Sequence, residues 1–142
     1  MSDPAYALQV GQAAALLGDD AVATFVGANV FDELSAQDSV YDRVGIGDDQ
    51  VIADNITCGN PSEVYSTVHL WCAGADARLK AKRLGEAVRA VLSRPFALTG
   101  HTLVTAVFHD ARYLPETDPT QPDGQVCHGV LTFRYRTNPN PI

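Results

Sequence analysis

The sequence lacks the features that mark several large classes of protein. No apolar run approaches the roughly 18–20 residues that a membrane-spanning helix needs, and no basic-then-apolar leader opens the chain. Cys58, Cys72 and Cys127 are an odd number of cysteines without a CxxC spacing, which does not fit a secreted disulfide scaffold. We therefore expect a soluble protein made in a reducing cytoplasm, with no membrane partner.

Basic residues are also scarce. The 142 residues include ten Lys and Arg against 17 Asp and Glu, a net charge of −7, and a dedicated DNA-binding protein needs clustered cations instead. The charge is uneven, because residues 1–60 carry ten acidic residues and one base, Arg43, whereas residues 61–100 carry six bases and three acids. These regions are expected to meet within one chain or between copies, or to remain two solvated faces.

Motifs for catalysis are missing as well. The sequence contains no GxSxG, P-loop, GxGxxG or HExxH pattern, and the paired carboxylates Asp19-Asp20 and Asp48-Asp49 are explained by helix capping and turn formation. We therefore predict no catalytic residue, no cofactor and no metal. The alternative from a different class is a small metal-binding enzyme that uses the four histidines, His69, His101, His109 and His128.

Hydrophobic periodicity predicts an α/β (α+β) fold for residues 1–142 as a single domain. We expect an antiparallel or mixed sheet of about four strands, with an N-terminal helix and one long amphipathic helix packed on it. Helices are predicted at residues 4–17, 21–26 and 76–94, and strands at residues 40–46, 63–73, 102–110 and 126–137. Residues 30–31 are compatible with a further short strand. Residues 51–53 either continue the strand at 40–46 or form a return strand beside it.

Several local features within this outline bear on function. The first helix offers two apolar stripes, one through Leu8 and Leu16 and one through Val10 and Leu17, and the pattern does not choose between them. A turn is predicted at residues 47–49. Three prolines predict a mobile loop over residues 114–124, and two prolines a flexible tail over residues 138–142. Tyr65 and Trp71 share one face of their strand, which suits core or interface packing.

Six segments follow one another in a distinctive order of hydrophobic and small residues: Leu16-Leu17-Gly18, residues 40–49, His69-Leu70-Trp71-Cys72, the helix at residues 80–92, residues 98–104 and residues 128–136. The order and spacing of these segments resemble the tail-completion, or tail-terminator, family of long-tailed phages and gene transfer agents. The resemblance covers roughly residues 5–137.

The resemblance implies a non-enzymatic virion protein at the head-proximal end of a tail, assembled in the host cytoplasm. Such proteins form a homo-oligomeric ring, with six copies expected, which caps the tail tube protein and joins it to the head-tail connector or stopper protein. DNA passes through the ring without specific binding. The alternative within the same particle is a head-proximal adaptor or stopper.

A closed ring needs two different faces of each subunit to meet, and oppositely charged faces suit that contact. The candidate subunit or partner interface residues are the helix bases Arg78, Lys82 and Arg89 and the carboxylates Asp48, Asp49, Glu116, Asp118 and Asp123.

Overall fold

A computed structural model describes residues 3–35, 40–53, 61–121 and 125–141. In chain order its elements are α1 (Pro4–Leu17), α2 (Asp20–Val26), β1 (Val30–Asp32), a 3₁₀ turn (Glu33–Ser35), β2 (Arg43–Ala53), β3 (Ser62–Ala73), α3 (Ala77–Leu92), β4 (His101–Thr117) and β5 (Gln125–Pro139). Within these residues the strands form a five-stranded sheet of order β1-β2-β3-β5-β4. The β1–β2 pair is parallel and the other three pairs are antiparallel, so the predicted α+β class with a mixed sheet is confirmed.

The first two helices start where aspartate side chains cap their free N–H groups. Asp3 accepts a hydrogen bond from the Ala5 amide at 2.9 Å, and Pro4 follows at the first helical position. Asp19 caps α2 through the Val22 amide at 3.1 Å. α3 spans Ala77–Leu92, shorter at both ends than the prediction of 76–94. None of these described helices is long and apolar enough to cross a membrane.

The core lies between the helices and one face of the sheet. Alternate residues of β3 and β5 point into it, and Val68, Leu70, Phe133 and Tyr135 are fully buried there. The predicted long amphipathic helix, α3, packs on the sheet with one apolar side. On that side Ala87 is half-buried and six residues are buried: Ala77, Ala81, Leu84, Val88, Val91 and Leu92. α1 contributes the stripe through Leu8 and Leu16, whereas Val10 and Leu17 are about half exposed.

The prediction of a turn at residues 47–49 is wrong. β2 continues through it to Ala53, and the pairing with β3 shifts by one residue between Gly47 and Asp49. Asp48 occupies this bulge with φ 59°, a conformation that Asp tolerates better than most residues. A bulge keeps the strand paired while reorienting its side chains, so residues 51–53 continue the same strand.

The Pro-rich loop and the tail are both shorter than predicted. Residues 114–117 belong to β4 and pair with residues 125–128 of β5, and Asn138 and Pro139 pair with the start of β4. Pro115 and Pro139 fit at these places because β4 is an edge strand and both lie near strand ends. The loop described between the strands is thus a turn starting at Asp118, and residues 122–124 lie outside the described part.

Gly11 is the one position in α1 where a missing side chain is required by packing. A Cβ there would lie 2.8 Å from Leu98 Cδ2 and 2.9 Å from the Ala97 carbonyl oxygen. We expect Gly11→Ala to lower the free energy of unfolding by about 1 kcal/mol, although alanine favours a helix over glycine by a similar amount. Urea unfolding measures it, and Val10→Ala on the exposed side is the control; a stabilised Gly11→Ala variant would contradict the packing argument.

Candidate functional site

The sheet face opposite the helices carries a row of cationic, aromatic and imidazole side chains. Arg43 of β2 is paired in register with Trp71 of β3, and Trp71 with His128 of β5. These residues alternate along their strands with core residues such as Leu70 and Cys72, so they point to the open face. The row therefore crosses three adjacent strands at one level of the sheet.

Arg43 is held at the end of this row by two aromatic rings. Its guanidinium carbon lies 4.9 Å from the Trp71 ring and 5.2 Å from the Tyr41 ring, and its Nη1 donates to the Val40 carbonyl at 2.8 Å. Only 4% of Arg43 is exposed. Desolvated contacts of this kind contribute on the order of 1–2 kcal/mol each. Trp71 is fixed in turn, because its indole N–H donates to Glu33 at 3.2 Å.

Beyond Trp71 the row continues into a linear arrangement of two imidazoles between two carboxylates. His128 stacks on Trp71 with ring centroids 3.8 Å apart, and its Nε2 lies 2.8 Å from Nδ1 of His69. The outer nitrogens contact carboxylates: His69 Nε2 is 3.2 Å from Asp48, and His128 Nδ1 is 2.8 Å from Glu116. Burial lowers the pKa of His128, and the Glu116 carboxylate opposes this shift.

The predicted carboxylates do not form one patch. The bulge in β2 places Asp48 at His69 on the open face, while Asp49 pairs with Ser66, whose side chain lies on the helix side. Partial burial raises the pKa of Asp49, whereas a hydrogen bond from Ser66 opposes the shift. A single extra residue in the strand thus separates two carboxylates that are adjacent in sequence.

Glu116 and Asp118 lie together at the end of the β4–β5 hairpin. Glu116 contacts His128, and Asp118 accepts hydrogen bonds from the Tyr41 hydroxyl at 3.0 Å and from the Thr120 amide at 2.9 Å. The hydrogen bonds from Thr120 and then Tyr41 lower the pKa of the Asp118 carboxyl. Asp123 lies outside the described residues.

The predicted basic residues lie on the outer side of α3. Arg78 and Lys82 are exposed, and neither forms an ion pair within 4 Å with any acid in the described ranges. Arg89 instead covers the Phe108 ring, with its guanidinium carbon 4.0 Å from the ring centroid. Lys80 is the α3 base that reaches the acidic first segment, through Asp42 at 2.9 Å.

The four histidines do not converge. His69 and His128 are adjacent, but His101 is buried at the start of β4, and His109 packs edge-on against Tyr65 at 5.7 Å between centroids. Among residues 3–35, 40–53, 61–121 and 125–141, no group of three or more His, Cys, Asp or Glu side chains is arranged to hold a metal ion.

The two thiols within the described strands, Cys72 and Cys127, are free and buried. Burial raises the pKa of Cys72 to about 12 and also raises that of Cys127. A thiol is nucleophilic as its thiolate, so both side chains act here as small hydrophobic groups.

Sequence reasoning missed Arg43 and Gln12. Arg43 is the only base in the first 60 residues, and its isolation at the start of a strand was a usable signal. Gln12 gave no signal in its Ala-rich helix, yet it is 1% exposed and donates to Ser66 at 2.9 Å and Tyr135 at 3.3 Å.

The fold and the open face define an α+β protein whose polar site residues contact one another along a sheet surface. The family model "Tail completion protein gp17" matches residues 13–138, and the chain therefore belongs to this tail-completion family, whose place is the tail of a phage-type virion.

The fold also has a counterpart among solved structures. A chain in the structure titled "Virion of native gene transfer agent (GTA) particle" is similar to it with a TM-score of 0.77 and 22% sequence identity. The alignment covers 94% of this chain and 96% of that chain, so the likeness extends over the whole fold. No curated protein sequence matches the chain at a significant level.

Proposed function

We propose that this tail-completion protein forms a six-membered ring that caps the tail tube and joins it to the head-side connector of a phage or gene transfer agent particle. The match to the tail-completion family over residues 13–138 carries the proposal. The likeness to a chain of a gene transfer agent virion over nearly the full length supports it, because that chain works inside an assembled particle.

The distribution of charge supports a contact between copies. Arg78 and Lys82 are exposed on α3 without an ion pair among the described residues, and Asp48 has 77% of its side chain exposed on the opposite face of the sheet. Bases on the helix layer and acids on the sheet layer of one subunit suit a heterologous contact, in which the two faces of neighbouring subunits meet. The net charge of −7 favours passage of DNA without specific binding.

The mass of the purified protein in solution tests ring formation. Light scattering over a concentration series at low salt is expected to show a species of six times 15.2 kDa. Raised salt is expected to dissociate it, because salt screens contacts between exposed charges.

Charge reversal tests the proposed seam. The double variant Arg78→Glu, Lys82→Glu is expected to be monomeric at concentrations where the unmodified protein is a ring, since it places like charges at the contact. Arg94→Glu, an exposed base beyond the end of α3, is the matched control and should leave the mass unchanged. A double variant that still forms the ring would exclude these two bases from the seam.

Binding to tail tube and to connector protein distinguishes a tail terminator from an adaptor or stopper. A tail terminator is expected to bind assembled tail tube at one end and the connector protein at its other face, measured by co-sedimentation of tubes and by electron microscopy. Binding to the connector without tube binding would instead establish an adaptor or stopper. A monomer that binds neither component would overturn the proposed function.

A further inference from the structure

The two imidazoles and two carboxylates on the open face come from four different strands. Asp48 lies in β2, His69 in β3, His128 in β5 and Glu116 in β4, so the four side chains cross the sheet from one strand to the next. The imidazoles are shielded, with 12% of the His69 side chain and 16% of the His128 side chain exposed, whereas the carboxylates reach solvent.

The contacts along this arrangement require more protons than neutral histidines carry. Each outer ring nitrogen faces a carboxylate oxygen and needs a proton to hydrogen-bond to it, and the two inner nitrogens face each other at 2.8 Å. Three hydrogen bonds therefore need three N–H protons. Two neutral imidazoles supply two, because a neutral ring has one donor and one acceptor nitrogen. Without a third proton, either the two inner lone pairs face each other at 2.8 Å, or one outer nitrogen turns a lone pair toward a carboxylate oxygen.

We propose that His69 and His128 form a proton-binding site that shares one extra proton between Nδ1 of His69 and Nε2 of His128, clamped by Asp48 and Glu116. The singly protonated pair carries one positive charge between two negative ones, which offsets the cost of holding a cation in a shielded position. Through this site, side chains of strands β2, β3, β5 and β4 are linked in a way that depends on pH. The proposal of a shared proton does not depend on the proposal of a ring.

The other charged groups around the pair limit it to one extra proton. Arg43 lies on the far side of Trp71, and Glu33 bonds the indole of that tryptophan. On β4, Arg112 and Asp110 lie in register with Val130 and Thr132 of β5, next to the pair. A second extra proton would put two imidazolium rings in contact, with the Arg43 cation on the other side of Trp71. Burial and repulsion from His69 and Arg43 disfavour that state, and both effects lower the pKa of His128.

The dependence of stability on pH follows from counting bound protons. An unfolded chain binds two protons on these histidines well below their ordinary pKa of about 6.5 and none well above it. The folded pair binds one throughout this window. Below about pH 6.5 the unfolded chain binds one proton more than the folded chain, so the pair's contribution to stability rises with pH. Above about pH 6.5 the folded chain binds one proton more, so the contribution falls as pH rises further.

Histidine ring NMR tests the proposal directly on the full chain. Long-range ¹H–¹⁵N spectra at about pH 7 are expected to show three protonated nitrogens among the four of the pair, with one proton signal far downfield of ordinary imidazole N–H signals. His109, whose ring packs on Tyr65 away from the pair, is the internal reference for the ring signals. Two neutral rings at about pH 7, or two independent titrations near 6.5, would overturn the proposal.

Variants provide the second measurement. The stability difference between the unmodified protein and the double variant His69→Gln, His128→Gln is expected to peak between about pH 6 and 7, with opposite slopes approaching one proton per chain on the two sides. His109→Gln should show no such peak. A flat difference from pH 5 to 9 would contradict the shared proton, and if the double variant does not fold, the NMR proton count on the unmodified chain decides.

Discussion

Phe133→Ala is expected to lower the free energy of unfolding by about 3–5 kcal/mol, the range typical of removing a fully buried aromatic ring. Phe133 has no exposed surface and lies at the centre of the core. It contacts Phe108 edge-on at 5.9 Å and Tyr135 at 6.1 Å between ring centroids. Phe108 is held on the adjacent strand β4, and the Tyr135 hydroxyl is hydrogen-bonded to the Leu92 carbonyl. The cavity left by the Phe133 ring is therefore expected to collapse only in part.

Urea unfolding at a fixed protein concentration measures this loss, since concentration affects the apparent stability of any oligomer. Leu34→Ala is the surface control, because 98% of Leu34 is exposed, and it should change stability by less than about 0.5 kcal/mol. Phe108→Ala removes the half-buried partner ring, and its loss of unfolding free energy should lie between those of Phe133→Ala and Leu34→Ala. A loss below about 1 kcal/mol for Phe133→Ala would show that the core is packed differently.

Gln12→Ala is expected to lower the free energy of unfolding by about 2–3 kcal/mol, because it removes the buried hydrogen bonds that the Gln12 amide donates to Ser66 and Tyr135. The Gln12 side chain joins Ser66 of β3 to Tyr135 of β5, and the Tyr135 hydroxyl donates to the Leu92 carbonyl at the end of α3 at 3.0 Å. Burial strongly raises the pKa of Tyr135, so the hydroxyl stays protonated. One amide thus links α1 to the sheet and to the end of α3.

The chain offers a matched control for this variant. Gln9→Ala makes the same change one turn earlier in α1, where the amide contacts Asp32 at an exposed position, and it should cost less than about 1 kcal/mol. The double variant Gln12→Ala, Tyr135→Phe should lose less than the sum of the two single variants, because both remove the same bond. Additive losses, or equal losses at Gln9 and Gln12, would contradict a coupled buried cluster.

The pattern of residues along the chain was sufficient to predict each helix and each long strand. Asp3-Pro4 marks the start of α1, the apolar spacing of α3 identifies its buried side, and alternation in β3 and β5 separates core residues from Trp71 and His128. These signals are local, since a cap or a periodic stripe involves residues a few positions apart. The family resemblance was carried by the same patterns and is confirmed by the match to residues 13–138.

Local patterns erred where pairing with a distant strand changes the outcome. Gly47-Asp48-Asp49 has the composition of a turn, but pairing with β3 on both sides makes it a bulge. Pro115 and the polar residues after it suggest a loop, yet β5 provides a partner through Thr117. Turn-forming composition lowers the intrinsic preference for a strand by a small amount, and a continuous ladder of hydrogen bonds outweighs it.

Composition and spacing along the chain were enough to predict the three helices, the four long strands, the uneven charge and the family. Contacts between distant segments were needed to bury Leu8, Leu16 and Gln12 of α1, and to bring His69 to His128, 59 residues away. The physical reason is that strand register and helix placement depend on contacts between segments far apart in the chain. One step in register moves a side chain to the opposite face of the sheet, and no local pattern specifies that step.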